Sequence, residues 1–284
     1  MDRVTSGEAP RRIWLCADDY GIAPGVNAAI CDLVARGRLN ATSVMVAAPG
    51  FSHAQAAALA AFNAAAPRVA IGLHLTLTAP LEPLTPSYAP LSEGEFLPLA
   101  TTLRLAVQQR LDMAALSAEL RAQFEAFVKA FGRAPDFVDG HQHVHLFPQV
   151  RHAMLDTTEW MAPKAWVRQC GSNLPLSRRL GDPKGLLIDW LSREFRARAA
   201  RHGIDTNPAF AGTYTYREDA DFPRIFPRFL EGMPKGGLIM CHPGHVDAEL
   251  QRLDPLTTLR EREYAYFCSD RFTADLERGG LTLN

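Results

Sequence analysis

No Cys-x-x-Cys pair occurs in this chain. Its five cysteines, Cys16, Cys31, Cys170, Cys241 and Cys268, are scattered and odd in number. A disulfide framework or a thiolate zinc site is therefore not expected. An excess of one charge is also missing: Lys+Arg 30 stand against Asp+Glu 31, a formal net charge of −1. Such a balance lacks the basic footprint with which proteins hold nucleic acid or anionic membrane. No apolar run approaches the roughly 20 residues that a membrane-spanning helix needs. Met1–Arg12 is polar and has no apolar stretch of the secretory-signal kind, so a cytoplasmic location is expected, with residues 1–11 flexible. Internal repeats and charge blocks are absent too. What is present is 284 residues, 47% hydrophobic and 21% charged, enough to build one domain with a full core.

Short apolar runs alternate with longer helical patterns. The runs Ile13–Ala17, Ser43–Ala48, Val69–Leu75, Phe137–Asp139, Ala165–Gln169, Phe210–Thr215, Gly237–Cys241 and Leu281–Leu283 predict strands. Most are too continuously apolar for a half-exposed sheet, which argues for parallel strands covered on both faces. Helices are predicted near Val26–Arg36, Ser52–Ala65, Thr102–Phe131, Pro148–Met161, Lys184–His202, Phe222–Leu230 and Pro255–Arg278, with Gly37, Gly132 and Gly203 as stop signals. This rhythm predicts an α/β fold: a single-domain, distorted (β/α) TIM-like barrel of about seven parallel strands, with a doubly wound open sheet as the alternative. The Pro-rich stretch Thr78–Pro98 interrupts the rhythm. It reads as a long loop near the mouth, either a lid or a substrate contact, or else a surface excursion or subunit contact.

The polar residues where the apolar runs stop carry the chemistry. Asp18 and Asp19, His74, Asp139 and His141, Arg168, and His242 all stand at such ends. In a parallel barrel those ends converge on one mouth. One such residue is unremarkable, because Asp often caps a following helix. Five ends delivering Asp, His or Arg are hard to explain by packing. His141-Gln-His-Val-His145 adds three alternating histidines in a chain that has nine. An extended backbone would put all three on one face, and a helical one would still pair His141 with His145. Neutral imidazole is the commonest metal-binding side chain. One Asp with two His is a frequent open metal site, and a second carboxylate beside it can take a proton from an attacking water. Arg168 can be a structural ion-pair partner or can keep that base ionised. His242 can be a satisfied core histidine or a general acid.

These residues and their surroundings resemble the YdjC-like family of carbohydrate deacetylases, which includes chitooligosaccharide and hopanoid-biosynthesis-associated members. The matching segments are Ala17-Asp18-Asp19-Tyr20-Gly21, Asn27, Thr42-Ser43-Val44-Met45, Ile71–Thr76, Asp139–Pro148, Val167-Arg168, Met240–Gly244 and Arg260–Glu263, in the family's order over nearly the whole chain. The resemblance implies a distorted barrel and hydrolysis of an N-acetyl group on an amino sugar. It implies Asp19, His74 and His141 as ligands of one divalent ion, Mg2+ or Zn2+. It implies Asp18 as base, His242 as acid and Arg168 beside the base. His143 and His145 fit substrate or supporting roles. Cys16 and Tyr20 depart from the family's usual Asn and Phe, and the added Tyr20 hydroxyl is a candidate substrate contact. The implied partner is an oligosaccharide or glycolipid substrate, with a homodimer possible and no nucleic acid or membrane span. Thr78–Pro98 and Asn173–Gly185 look particular to this chain.

Two other functions are compatible with the residues. A barrel metallohydrolase of phosphoesters or cyclic amides shares His-x-His, although that motif normally lies on its first strand. A non-catalytic sugar-binding protein would keep the site, yet would need neither Asp18 nor His242.

Overall fold

The computed structural model describes residues 9–172 and 183–284; residues 1–8 and most of the Asn173–Gly185 stretch lie outside these. Arg11–Arg12 is ordered as β1, which pairs in parallel with β9 (Leu281–Thr282). The last predicted strand thus forms a separate two-stranded ribbon with β1 and does not join the main sheet. The main sheet holds β2 (Trp14–Tyr20), β3 (Ala41–Val44), β4 (Ala70–Leu75), β5 (Phe137–Gly140), β6 (Trp166–Val167), β7 (Phe210–Ala211) and β8 (Leu238–Cys241). Its order is β6-β5-β4-β3-β2-β8-β7, and every pairing is parallel. Helices cover its outer face, so strands such as β2 and β4 are buried on both sides, as their unbroken apolar character requires.

The two edge strands meet without a regular ladder. Isolated bridges pair Val167 with Thr206 and Ser172 with Phe210. Between them the Asn207 side chain replaces a strand residue. Its Oδ1 accepts from Gln169 N at 2.8 Å and its Nδ2 donates to Gln169 O at 3.1 Å. The sheet is therefore a curled, seven-stranded distorted barrel. Gly72 on β4 leaves room for the Phe137 ring of the neighbouring β5, since a Cβ there would lie 2.4 Å from that ring.

The helices are α1 (Pro24–Ala35), α2 (His53–Ala61), α3 (Leu99–Val107), α4 (Met113–Phe131), α5 (Pro148–Met161), α6 (Pro183–Arg201), α7 (Phe222–Leu230), α8 (Ala248–Leu253), α9 (Thr258–Cys268) and α10 (Asp270–Arg278). Two predicted helices are divided. Thr102–Phe131 breaks where Gln109 takes a φ of 58°, and α4 restarts at Asp112, whose carboxylate accepts from the amides of Ala114 and Ala115. Pro255–Arg278 breaks at Ser269, whose backbone is extended and whose hydroxyl donates to Tyr266 O at 2.6 Å. Apolar periodicity continues across both breaks, which is why the sequence pattern misses them. Among the described residues no helix is long and apolar enough to cross a membrane.

The Pro-rich segment is fastened to α4. Glu119, fully buried, accepts from the amides of Leu84 and Thr85 and from the Thr85 hydroxyl. Leu81, Tyr88 and Phe96 pack into the core.

Candidate active site at the barrel mouth

The C-terminal ends of the strands open into a cavity of about 600 Å³. Asp18, Asp19, His74, His141, His143 and His242 all line it. The adjacent aspartates would point to opposite faces of a regular strand. Here the β2–β3 register runs from Ala17↔Thr42 to Tyr20↔Val44, so β2 carries one extra residue. The bulge is taken up at Asp19, whose φ is 70°. Both carboxylates thereby face the cavity, and Tyr20 is turned outward. Its hydroxyl donates to Gln55 O on α2 at 2.8 Å. The structure thus does not bring Tyr20 to the site: the hydroxyl expected to meet substrate is committed to α2.

Asp18 is buried and clamped by Arg168, whose Nη1 and Nη2 each donate to one of its oxygens at 2.6 Å. Burial pushes this carboxyl up, but the Arg168 guanidinium and its hydrogen bonds outweigh burial and hold it well below the usual carboxylate range. Arg168 also contacts Asp139 Oδ2 at 2.6 Å and Cys16 Sγ at 3.0 Å.

A second group forms around Asp19. Its Oδ1 lies 3.3 Å from His74 Nε2 and 2.9 Å from His141 Nδ1. Asp139, paired with His74 across the β4–β5 ladder, accepts from His74 Nδ1 at 2.5 Å. That bond orients the ring and turns Nε2 toward Asp19. Burial alone would lower the His74 pKa, but Asp139, Asp19 and Asp18 raise it to about 10. Asp19 is itself held well below the usual range: burial opposes this, and Arg260 and His141 outweigh it.

These donors fit a cation. One carboxylate oxygen and two imidazole nitrogens from Asp19, His74 and His141 lie within 4.8 Å of one another. Two imidazoles and a carboxylate are a known open set for a divalent metal. Three buried carboxylates (Asp18, Asp19, Asp139) face two buried guanidiniums (Arg168, Arg260), and the third negative charge is matched by the proton on His74, which a bound cation would replace.

The His-x-His-x-His segment is neither strand nor α-helix. His141–Leu146 forms a 3₁₀ segment in which Gln142 and His143 take φ values of 53° and 60°. His141 and His143 therefore face the cavity while His145 turns inward. His145 is fully buried and donates from Nε2 to the Arg168 carbonyl at 2.9 Å. Burial, followed by the charge of Arg168, lowers its pKa to about 3. It is not part of the cavity wall and cannot touch a substrate there. His143 lies 3.5 Å from Cys170 Sγ and edge-on to Phe210.

His242 follows β8. Its amide donates to Glu263 at 2.6 Å, its Nδ1 is buried without a partner among the described residues, and the Tyr216 ring stands edge-on to it at 5.8 Å. Asp139, Arg260 and Glu263 were not assigned roles from sequence. Asp139 carried a strand-end signal. Arg260 and Glu263 lie on α9, in the Arg260–Glu263 segment that matches the family, but that match carried no role for either residue. The Thr78–Pro98 segment contributes nothing to the wall, whose first residue from this part of the chain is Leu99.

A curled parallel barrel with an Asp/His cluster and an Arg-clamped carboxylate at its C-terminal mouth has the architecture of a hydrolase barrel. Residues 12–278 match the YdjC-like protein family, and the chain belongs to it. A chitooligosaccharide deacetylase of Proteus mirabilis is 35% identical over 136 residues, 47% of this chain, so the match spans only 50% of that relative's length. The chitooligosaccharide deacetylase of Klebsiella pneumoniae is 27% identical over 269 residues, covering 90% of this chain and 93% of that one. A solved structure from Enterococcus faecalis V583, of a protein named for cellobiose-phosphate cleavage, superposes with a TM-score of 0.70 at 22% identity and covers 97% of both chains. This last likeness establishes the shared fold.

Proposed function

We propose that the chain is a metal-dependent deacetylase that hydrolyses the N-acetyl group of an amino sugar and releases acetate. One observation carries this reading: a carboxylate–imidazole–imidazole cluster and a separate, guanidinium-clamped carboxylate face one cavity from consecutive residues of β2. Asp19, His74 and His141 would hold one divalent ion, Zn2+ or Mg2+. When bound, such an ion polarises the acetyl carbonyl and acidifies a water. Asp18, kept ionised by Arg168, accepts a proton from the attacking water as the new C–O bond forms. A carboxylate held this low is a weak base, so the transfer depends on a water made acidic. His242 delivers a proton to the departing nitrogen as the C–N bond breaks, leaving acetate and a free amine. His143 lines the cavity and is placed to contact substrate. The named activity of the deacetylase relatives supports the same chemistry.

The cavity also bears on the acceptor. Leu99 and Leu103 of α3, Leu187, Ile188 and Leu191 of α6, and Leu259 form an aliphatic wall. Such a wall suits a hydrocarbon, while Phe147, Tyr216, Thr213, Glu218 and Asp254 elsewhere on the lining suit a sugar. The cavity thus accommodates a glycolipid as well as a free oligosaccharide. The test is acetate release from N-acetylglucosamine oligomers and from an alkyl N-acetylglucosaminide, with and without chelator, for wild type and Asp18→Asn. Chelator-sensitive release that falls at least a hundredfold in Asp18→Asn is expected. Full activity in the variant would remove Asp18 as base, and phosphate release from phosphoesters without acetate release would favour the phosphoesterase alternative.

A further inference from the structure

Arg260 takes no part in the steps above, yet it is among the largest fully buried side chains of the protein. Its Nη2 donates to Asp19 Oδ2 at 2.6 Å and to Asp254 Oδ2. Its Nε donates to Leu256 O at 2.9 Å, and its carbonyl accepts from Gly244 N at 3.1 Å. Arg260 therefore joins three parts of the mouth: the end of β2, the cavity wall at Asp254–Leu256, and the turn that carries His242.

The two oxygens of Asp19 have different surroundings. Oδ1 faces His74 and His141, whereas Oδ2 is held by Arg260. A carboxylate with both oxygens free can chelate a cation through both; one whose second oxygen is committed to a charge-assisted hydrogen bond offers a single donor. Charge alone would argue against an arginine here, since it weakens the field that attracts a cation. Its presence therefore calls for a geometric reason. A hydrolytic metal site must keep positions free for water and for the substrate oxygen. Building on the metal site proposed above, we propose that Arg260 is a positioning residue that restricts Asp19 to single-oxygen ligation and so keeps one coordination position open.

Cobalt(II) is the probe, because its visible bands report coordination number and geometry. Wild type and Arg260→Gln are loaded with Co2+, and thermal melting without metal checks that both fold. Arg260→Gln is expected to bind one Co2+ per chain with weaker bands, as the freed Oδ2 raises the coordination number, and to lose at least tenfold in acetate release. Arg260→Lys is expected to fall between the two, since one ammonium can reach Asp19 and Asp254 as Nη2 does but cannot also supply the Nε donor to Leu256 O. If the glutamine variant does not fold, the lysine variant decides by the same spectrum. A wild-type Co2+ spectrum in a folded variant overturns the proposal. So does a folded Arg260→Gln that binds no Co2+, because a freed carboxylate should chelate more strongly. A wild type that binds no Co2+ overturns both this proposal and the metal site. A wild type that binds Co2+, shows the spectral shift on substitution, but releases no acetate from any substrate leaves the proposal standing and removes only the deacetylase reading.

Discussion

The three histidines of one short segment have different surroundings. His141 meets Asp19, His143 meets the cavity and Cys170, and His145 lies beneath Arg168. The metal site proposed above therefore predicts that His141→Ala loses Zn2+ and activity together, while His143→Ala keeps most of its metal. Metal analysis after dialysis separates the two, and equal loss in both would remove His141 as the distinguishing ligand. His145 gives a pH prediction. Its folded pKa, about 3, lies below the ordinary 6.5 of a histidine, so between these values the unfolded chain binds the extra proton. Stability from this residue is thus full above pH 6.5 and is lost as pH falls toward 3. His145→Gln keeps a donor for the Arg168 carbonyl but does not titrate. Its urea midpoint should fall less between pH 7 and pH 4 than that of wild type, by an amount equivalent to about 1–3 kcal/mol; parallel slopes would contradict this. Much of the site was legible in the sequence at this scale, because strand ends in a parallel barrel share one mouth. Tyr20 was expected at the site for its extra hydroxyl, and the bulge at Asp19, which sequence does not reveal, turns that hydroxyl to α2. Arg260 stood in a family-matching segment but received no role, because it comes from a helix and reaches Asp19 only through the fold.

Among elements, the sequence revealed most where apolar runs are continuous and least where a break is polar and short. The core strands were legible to within a few residues. The interruptions at Gln109 and Ser269 were not, since each depends on one backbone conformation inside a periodic pattern. The Pro-rich segment shows a related limit: its length left a lid or substrate contact and a surface excursion or subunit contact equally open, and its location depends on Glu119, distant in sequence. Glu119→Ala should leave the Leu84 and Thr85 donors without their acceptor. A loss of about 1–3 kcal/mol is expected, measured by chemical denaturation, since these part-buried donors and the buried Gln123 Nε2 lose their acceptor. Activity per folded molecule should hold, because the segment lies outside the cavity wall. A collapse of activity with stability intact would restore the lid.

At the scale of the whole molecule, the (β/α) architecture followed from the alternation of elements and the continuous apolar strands. How the barrel closes did not, because closure depends on a few backbone pairings and one asparagine. That seam makes the barrel mechanically uneven. Every other strand boundary is a backbone ladder, while the meeting of β6 and β7 relies on two isolated bridges and the carboxamide of Asn207. Local opening costs least where fewest backbone bonds must break. In native-state hydrogen exchange the amides of Val167 and Gln169 should therefore lose protection before those of β2 or β4, and Asn207→Ala should accelerate their exchange while leaving the far side of the sheet unchanged. Uniform protection around the barrel would refute this. Because Arg168 lies on that same seam, the stretch of chain most ready to part also carries the clamp on Asp18, so breathing of the wall and ionisation of the carboxylate are linked through a single residue.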